Sequence, residues 1–268
     1  MSETQQGDAE MRIVVKVGTS TLAHSTGRMN IRRVEQLCKT LSDVKNAGHE
    51  VILVSSGAIG MGVGKLSLKE RPTDIPTKQA AAAVGQCELM YTYDRLFGIY
   101  NHTVAQLLLT GSDVEDDVRR TNFHNTMFRL LELGALPVIN ENDTVATDEI
   151  VIGDNDTLGA IVATTVEADL LILLSDIDGL YTADPRKDPA ATLIPVVEAL
   201  TPQIMALGGG NGSSLGTGGM ATKIRAAKIA TEAGVDMIIA NGARSGQLYD
   251  IVDGVPIGTR FIAGRNKT

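Results

Sequence analysis

The sequence predicts an α/β fold, a three-layer αβα sandwich with a mainly parallel central sheet. Short apolar runs rich in Val, Ile and Leu alternate with amphipathic helical patterns along the chain. Aromatic residues make up only 3% of the 268 residues and Trp is absent. An aliphatic core of this kind is typical of parallel strands that helices cover on both faces, because right-handed crossovers place the helices there.

Six apolar runs are candidate strands, and helical stripes separate them. The candidate strands are Arg12–Val17, Glu50–Ser55, Thr103–Leu109, Leu136–Asn140, Asp169–Ser175 and Asp236–Ala240. A stripe from Ile31 to Val44 predicts a helix between the first two strands, with Asn30 as its N-cap and Gly48 at its end. A second stripe, from Leu158 to Val166, precedes the fifth strand.

These elements predict a single domain behind a short extension. Residues 1–11 form a polar N-terminal extension, and residues 12–268 contain the strands and helices without repeats or coiled coils. The weakest boundary lies near Ala168, before the fifth strand. We therefore expect two lobes, 12–168 and 169–268, that share one sheet.

Charge and cysteine content exclude several classes of function. Lys and Arg number 24 against 32 Asp and Glu, a net charge of −8, so the surface as a whole repels nucleic acid and anionic lipid. The two cysteines, Cys38 and Cys87, form no CxxC motif, which favours a reducing compartment over a structural zinc site. No apolar run approaches the roughly 20 residues of a membrane span. We expect a cytoplasmic protein without nucleic-acid or membrane partners.

Polar turns follow several of the candidate strands. Gly18-Thr19-Ser20 follows the first strand, Ser55-Ser56-Gly57 ends the second, Asn142-Asp143 follows the fourth and Asp176 follows the fifth. Each turn alone is as well explained by the turn-forming habit of these residue types. In parallel sheets, however, ligands bind outside the carboxyl ends of the strands. The shared edge therefore favours a binding site.

Two lysines are candidates for binding an anion. Lys16 interrupts an apolar strand, where a lysine is unfavourable unless it pairs with an anion or extends to water. The loop before Lys223 is rich in glycine and opens a helix that runs to Gly234, so its N–H groups and the lysine could hold a phosphate. The alternative is a lid with a solvated lysine. Convergence of both lysines would provide the charge neutralisation that phosphoryl transfer needs.

The segment from Glu141 to Asp156 is strongly acidic. It carries six carboxylates, which could hold the ammonium group of an amino acid or orient the two lysines. Asp154 or Asn155 as a helix N-cap is the simpler interpretation. Leu158 stands where a calcium loop requires a ligand, and the four histidines lack the spacing of metal ligands. We therefore predict no metal site built from side chains.

Six motifs occur in order between Arg12 and Ala263 and together resemble the amino acid kinase family. They are Lys16-Val17-Gly18-Thr19-Ser20, Ser55-Ser56-Gly57-Ala58, Pro137 to Asp143, Gly153 to Asp156, Ser175-Asp176 with Gly179 to Pro185, and Gly216 to Lys223. Several of these motifs are similar to those of the branch that acts on glutamate. They differ from the motifs of relatives that act on aspartate, acetylglutamate, carbamate or UMP.

The resemblance implies an amino acid kinase fold and a phosphotransferase. Its reaction would be ATP-dependent phosphorylation of the γ-carboxylate of L-glutamate to γ-glutamyl phosphate, the first step of proline biosynthesis, with feedback inhibition by proline. Two alternatives stay open: another kinase of the family, acting on acetylglutamate, aspartate or UMP, and a non-catalytic amino acid sensor. A sensor would be expected to have lost one of the implied catalytic residues, Lys16, Lys223 or Asp156, and all three are present.

The resemblance also implies roles for individual residues. Lys16 and Lys223 would stabilise the transferred phosphoryl group, and Asp156 would hold both lysines. The glutamate-binding residues in lobe 12–168 would be Ser56, Gly57, Asp143 and Asn155, with Asp143 on the α-ammonium group. The ATP-binding residues would be Lys16, Gly18, Ser175, Asp176, Thr217, Gly218, Gly219, Met220, Ala221, Thr222 and Lys223, most of them in lobe 169–268. Mg²⁺ would be bound through the phosphates.

Further partners follow from the same resemblance. We expect a homo-oligomer, either a dimer or a tetramer, and channelling of the unstable product to glutamyl phosphate reductase. Many members of the family carry a C-terminal PUA domain, and this chain ends at Thr268 without room for one. We therefore expect the form that lacks this domain.

Overall fold

The computed structural model describes residues 10–24, 28–145, 154–209 and 219–264, and its centre is one twisted sheet. The strands are β1 (Arg12–Val17), β2 (Glu50–Ser55), β3 (Val104–Leu109), β4 (Leu136–Glu141), β5 (Leu170–Ser175), β6 (Val196–Val197), β7 (Asp236–Asn241) and β8 (Thr259–Phe261). Their order in the eight-stranded sheet is β3-β4-β2-β1-β5-β7-β8-β6. Neighbouring strands are parallel except β7 and β8, which are antiparallel. The predicted mainly parallel sheet is confirmed.

Helices connect the strands and lie on both faces of the sheet. They are α1 (Thr19–Leu22), α2 (Ile31–Asn46), α3 (Ala58–Lys65), α4 (Ile75–Gly98), α5 (Gly111–Glu115), α6 (Asp117–Glu132), α7 (Asn155–Thr165), α8 (Pro202–Ala206), α9 (Met220–Glu232) and α10 (Gln247–Val252), and Gly242–Arg244 forms a 3₁₀ turn. None of the helices in the described ranges is both long enough and apolar enough to cross a lipid bilayer.

Two apolar cores flank the sheet, because side chains along a strand alternate between its faces. Ile13, Val15 and Val17 of β1 pack in the core that α2, α4 and α10 cover. Val14 belongs to the opposite core, which α6, α7 and α9 cover. The result is the predicted three-layer sandwich. Lys16 shares the face of Val14 and therefore projects towards α7 and α9.

The predicted strands agree with the observed ones to within one residue at each end. The side chain of Asn30 caps α2 by accepting from the N–H of Arg33, as predicted. Gly48 and Gly234 follow α2 and α9 with positive φ angles of 107° and 86°, which favour glycine. Strands β6 and β8 were not predicted.

Helices α3 and α4 approach each other more closely than side chains would allow. A Cβ atom at Gly85 would lie 1.7 Å from the carbonyl oxygen of Ala58, and one at Gly62 would lie 1.8 Å from that of Ala81. Only glycine fits at these crossing points. The contact holds the middle of α4 against the start of α3, directly after the carboxyl end of β2.

The boundary predicted near Ala168 does not interrupt the sheet. Strand β5 pairs with β1 in parallel register from Ile13 opposite Leu170 to Val17 opposite Leu174. The division into lobes 12–168 and 169–268 stays a prediction. Of the predicted extension 1–11, only Glu10 and Met11 lie within the described residues.

Candidate active site

Two lysines and a carboxylate that are distant in sequence form a buried ion-pair cluster. The Nζ atom of Lys16 donates to Oδ1 of Asp156 at 2.6 Å, and the Nζ atom of Lys223 donates to Oδ2 at 3.0 Å. The hydroxyl of Thr222 donates to the same Oδ2 at 2.8 Å. The residues Lys16, Asp156 and Lys223 are 7%, 1% and 5% exposed. We call these four residues the phosphoryl cluster.

Three elements bring the phosphoryl cluster together. Lys16 lies near the carboxyl end of β1, Asp156 in the first turn of α7, and Lys223 in the first turn of α9. Gly159 of α7 leaves room for the lysine stem, since a Cβ there would lie 3.3 Å from Cβ of Lys16. The cap of α7 is Asp154, whose side chain accepts from the N–H of Thr157 at 2.8 Å. This cap fixes the turn that carries Asp156.

The charges in this cluster determine how it can act. Burial alone raises the pKa of Asp156, but the charges and hydrogen bonds of Lys16 and Lys223 outweigh that effect and hold its pKa below the ordinary value. Asp156 therefore remains a carboxylate at neutral pH. The formal charges of the two lysines and one aspartate sum to +1. A buried cluster of this sign can neutralise an incoming anion such as a phosphoryl group.

A chain of amide side chains leads away from the phosphoryl cluster. The Nδ2 atom of Asn155, next to Asp156, donates to Oγ of Ser56 at 2.7 Å and to Oδ1 of Asn140 at 3.0 Å. The Nδ2 atom of Asn140 donates in turn to Oε1 of Gln86 at 2.9 Å. Gly57, with a φ angle of 104°, follows Ser56 and caps α3. Elements β2, β4, α4 and α7 are thus joined at the carboxyl edge of the sheet.

A small open pocket lies at the end of this chain of amides. We call it the acceptor pocket. Its lining residues are Ala58, Ala82, Gln86, Leu108, Glu141, Asn142, Asp143 and Thr144. Burial raises the pKa of Asp143 to about 6. Burial and the charges of Asp143 and Asp154 raise the pKa of Glu141 to about 7. A cation bound here would stabilise both carboxylates in their charged form.

The remaining predicted residues lie at the ends of β1, β5 and α9. Gly18 follows β1, and a Cβ atom at this position would lie 3.6 Å from Nζ of Lys16. Ser175 ends β5, and its hydroxyl donates to Oδ1 of Asp176 at 3.2 Å. Asp176 is exposed and pairs with Arg186 at 3.2 Å.

The glycine-rich loop is only partly described. Thr217 and Gly218 lie outside the described residues. Gly219 is the N-cap of α9, and Met220, Ala221, Thr222 and Lys223 form its first turn. The structure therefore brings Thr222 and Lys223 to Asp156, while the full course of the predicted phosphate loop stays a prediction.

Sequence reasoning assigned no role to Asn140 and did not consider Gln86. Asn140 lies within the motif from Pro137 to Asp143, but nothing in that motif indicates its contacts. Gln86 lies in an alanine-rich helix, Ile75–Gly98, that carries no recognisable motif. The one available signal is Gly85, because a glycine inside a helix often marks a close packing contact.

Comparison with known proteins identifies the family and the fold. The model of the amino acid kinase family matches residues 11–241. The glutamate 5-kinase of Clostridium tetani is 56% identical over 251 residues, which cover 94% of each chain. That of Moorella thermoacetica is 53% identical over 94% of this chain and 66% of its own length. The structure of carbamate kinase from Giardia lamblia bound to AMP-PNP has a TM-score of 0.68 at 18% identity and covers 95% of this chain and 99% of that one.

The solved structure supports the fold alone, because its sequence identity is low. The family match covers most of the chain, and the curated relatives share more than half of their aligned residues with it. The chain therefore belongs to the amino acid kinase family and, within that family, to the glutamate 5-kinases.

Proposed function

We propose that the protein transfers the γ-phosphoryl group of ATP to the γ-carboxylate of L-glutamate, forming γ-glutamyl phosphate and ADP, the first step of proline biosynthesis. One observation carries this proposal: both lysines contact one carboxylate, that of Asp156. Asn155, the residue before it, leads through hydrogen bonds to a pocket lined by carboxylate and amide side chains. The proposed phosphoryl site and the proposed acceptor site are thus connected by a chain of hydrogen bonds.

The reaction needs charge neutralisation more than proton transfer. The γ-carboxylate of glutamate is ionised at neutral pH, so it can attack the γ-phosphorus without a general base. A bond forms between the carboxylate oxygen and phosphorus, and the bond to the oxygen that bridges the β- and γ-phosphates breaks, so that ADP leaves. Lys16 and Lys223 would stabilise the negative charge on the transferred group, and Asp156 would hold both ammonium groups in position.

The acceptor pocket would orient glutamate with its γ-carboxylate towards the lysines. Asp143 would accept hydrogen bonds from the α-ammonium group, and the rise in its pKa on burial fits a carboxylate whose partner is a ligand. Ser56, Gly57 and Asn155 would bind the remainder of the substrate. The Oδ1 atom of Asn155 is buried without a hydrogen-bond partner among the described residues, so it is available as an acceptor.

ATP would bind along the ends of β1, β5 and α9. Gly18, Ser175, Asp176 and the stretch from Thr217 to Lys223 would line this site, with backbone N–H groups at the start of α9 directed at phosphate oxygens. Both oxygens of Asp156 already accept hydrogen bonds from the phosphoryl cluster. Mg²⁺ would therefore be carried by the phosphates of ATP, where it supplies additional neutralisation of their charge.

We further propose that proline inhibits the enzyme by competing at the acceptor pocket, since it shares a cationic amine and an α-carboxylate with glutamate. The homo-oligomer, dimer or tetramer, and the channelling of product to glutamyl phosphate reductase remain proposals that the family resemblance supports. So does the assignment of lobe 12–168 to glutamate and lobe 169–268 to ATP. Inhibition kinetics with proline would test the proposed inhibition, and sedimentation analysis would test the oligomeric state.

A trapping assay tests the proposed function. Protein, ATP, Mg²⁺, glutamate and hydroxylamine should give glutamyl hydroxamate, because hydroxylamine captures an acyl phosphate. Parallel reactions in which aspartate, acetylglutamate or UMP replaces glutamate distinguish the other kinases of the family. ADP release is the quantity measured in each of them. A preference for one of these acceptors would contradict the proposed substrate. Binding of glutamate without hydroxamate or ADP would instead indicate a non-catalytic sensor.

A further inference from the structure

We propose that Gln86 determines acceptor specificity by donating a hydrogen bond from its Nε2 group to the α-carboxylate of bound glutamate. This inference rests on the proposed function and extends it to a residue of α4. It assigns a separate recognition element to the end of the substrate that does not react.

The first argument is the unequal pairing of the two ends of this carboxamide. Gln86 is 8% exposed, and its Oε1 atom accepts from Asn140. Its Nε2 atom is buried and has no hydrogen-bond partner among the described residues, and the residue lines the acceptor pocket. A buried donor without a partner is unfavourable. A ligand with an acceptor oxygen would remove this unfavourable term.

The second argument is that the neighbouring amides fix which end of the Gln86 side chain is left without a partner. Oδ1 of Asn140 accepts from Nδ2 of Asn155 at 3.0 Å and from the backbone N–H of Glu141 at 2.9 Å. The other end of Asn140 must therefore be the donor, and it can pair only with the oxygen of Gln86. The NH₂ group of Gln86 is consequently left for the pocket.

The third argument is that the backbone of α4 is held in place at this position. Gly85, immediately before Gln86, lies so close to Ala58 of α3 that no other residue fits. A glycine in a helix interior lowers helix stability, so its presence is best explained by this close approach. The approach puts Gln86 beside the start of α3, where Ala58 also lines the acceptor pocket.

The order of the hydrogen bonds indicates which carboxylate Gln86 would meet. Gln86 pairs with Asn140 and Asn140 with Asn155, whose sequence neighbour Asp156 holds both lysines. The reacting γ-carboxylate belongs at the lysine end of this chain. The α-carboxylate then lies at the opposite end, near Asp143 and Gln86. A neutral donor in the pocket that Glu141 and Asp143 also line can bind an anion there while Asp143 takes the ammonium group.

Substitution of Gln86 can be combined with removal of the substrate group that it would contact. Gln86→Glu keeps the oxygen that accepts from Asn140 and replaces the NH₂ donor by a second oxygen. Gln86→Met removes both polar ends at similar volume. For each protein we would measure the KM for glutamate and for ATP, and the inhibition constant of 4-aminobutyrate, which lacks only the α-carboxylate. Thr92→Val is the matched control, because Thr92 is also a buried polar residue of α4. Among the described residues, its hydroxyl donates to the carbonyl of Glu88 in the same helix.

We expect Gln86→Glu to raise the KM for glutamate at least about tenfold, because a site built to bind a polar group discriminates strongly when the pairing is lost. The KM for ATP and the inhibition constant of 4-aminobutyrate should change by less than about threefold, and Thr92→Val should leave all three constants unchanged. Gln86→Met should weaken glutamate binding less than Gln86→Glu, since it adds no repulsion.

Two results would overturn the inference while leaving the proposed function in place. One is an active Gln86→Glu variant with an unchanged KM for glutamate. The other is equal weakening of glutamate and 4-aminobutyrate, which a purely structural role would produce. A wild-type protein that forms no hydroxamate would overturn the proposed function itself, and this inference with it.

Discussion

The phosphoryl cluster and the acceptor pocket differ in how far their polar groups are paired within the protein. In the cluster, the buried carboxylate of Asp156 already accepts from both lysines and from Thr222. In the pocket, the amide nitrogen of Gln86 is unpaired among the described residues, and burial has raised the pKa of Asp143 and Glu141. On the proposed assignment, the protein preorganises the groups that act on charge in the transition state, and the ligand completes the pairing in the acceptor pocket.

Removal of Asp156 should have the largest effect, because it breaks the cluster at its centre. Asp156→Ala leaves two buried lysines without the carboxylate they share, and we expect a loss of roughly 3 kcal/mol or more in the free energy of unfolding. We expect activity to fall by a factor on the order of 10³. Urea denaturation and the hydroxamate assay measure these two quantities.

Two further variants sharpen this result. Asp156→Asn keeps the shape of the side chain but removes its charge. It should lose more of its activity than of its stability, which separates the effect of the charge from that of packing. Glu132→Gln breaks the exposed pair with Arg129 and should change stability by less than about 1 kcal/mol. A stable and fully active Asp156→Ala variant would contradict the role of the cluster.

The KM for glutamate, which depends on the acceptor pocket, should change with pH more than the KM for ATP does. In the proposed role, Asp143 must be ionised to bind the ammonium group of glutamate, and burial raises its pKa to about 6. The KM for glutamate should therefore rise roughly tenfold between pH 7.5 and pH 5, whereas the KM for ATP stays nearly constant. Asp143→Asn should have a high KM for glutamate at both pH values.

Glu141 faces the same pocket and titrates in a neighbouring range, with a pKa of about 7. Glu141→Gln therefore serves as the comparison variant for Asp143. If Glu141→Gln alone removed the pH dependence of glutamate binding, the ammonium group would belong to Glu141 and our assignment to Asp143 would be wrong.

The ionisation of Glu141 should also affect the stability of the protein, by less than the changes described above. The pKa of Glu141 is raised from 4.5 to about 7 in the folded protein, so the folded state retains a proton that the unfolded chain releases. Stability should therefore decrease as the pH rises from about 4.5 to 7, and the decrease should persist above that range. Glu141→Gln should unfold a few degrees above the wild-type protein at pH 8 and at nearly the same temperature at pH 5. A difference that does not depend on pH would exclude this explanation.

The six longer strands of the sheet were predictable from the sequence, because each is a six-residue run rich in aliphatic residues. Strand β6 has two residues and β8 has three, and their pairing depends on neighbours distant in the chain. Such short strands leave too little periodicity to be recognised from sequence.

The site was predictable wherever a residue type was unusual for its position. Lys16 is conspicuous because a lysine interrupts an aliphatic strand, but its partner is 140 residues away. The sequence offered the whole acidic segment from Glu141 to Asp156 as a partner of the lysines, and the family resemblance singled out Asp156. Gln86 was missed because a glutamine on a helix is ordinary. Its position becomes informative only when packing buries one end of its side chain and pairs the other.

The central claim is that Lys16 and Lys223 act on the same phosphoryl group, and a double-mutant cycle on kcat tests it most directly. We expect Lys16→Met and Lys223→Met each to lower kcat by a factor on the order of 10² to 10³. The exposed Lys228 of α9 provides the control variant, Lys228→Met, which should leave kcat unchanged. Because groups that act as a unit are strongly non-additive, the double variant should be little slower than the slower single variant. Losses that multiply in full would contradict the claim, since they would show that the two lysines act independently.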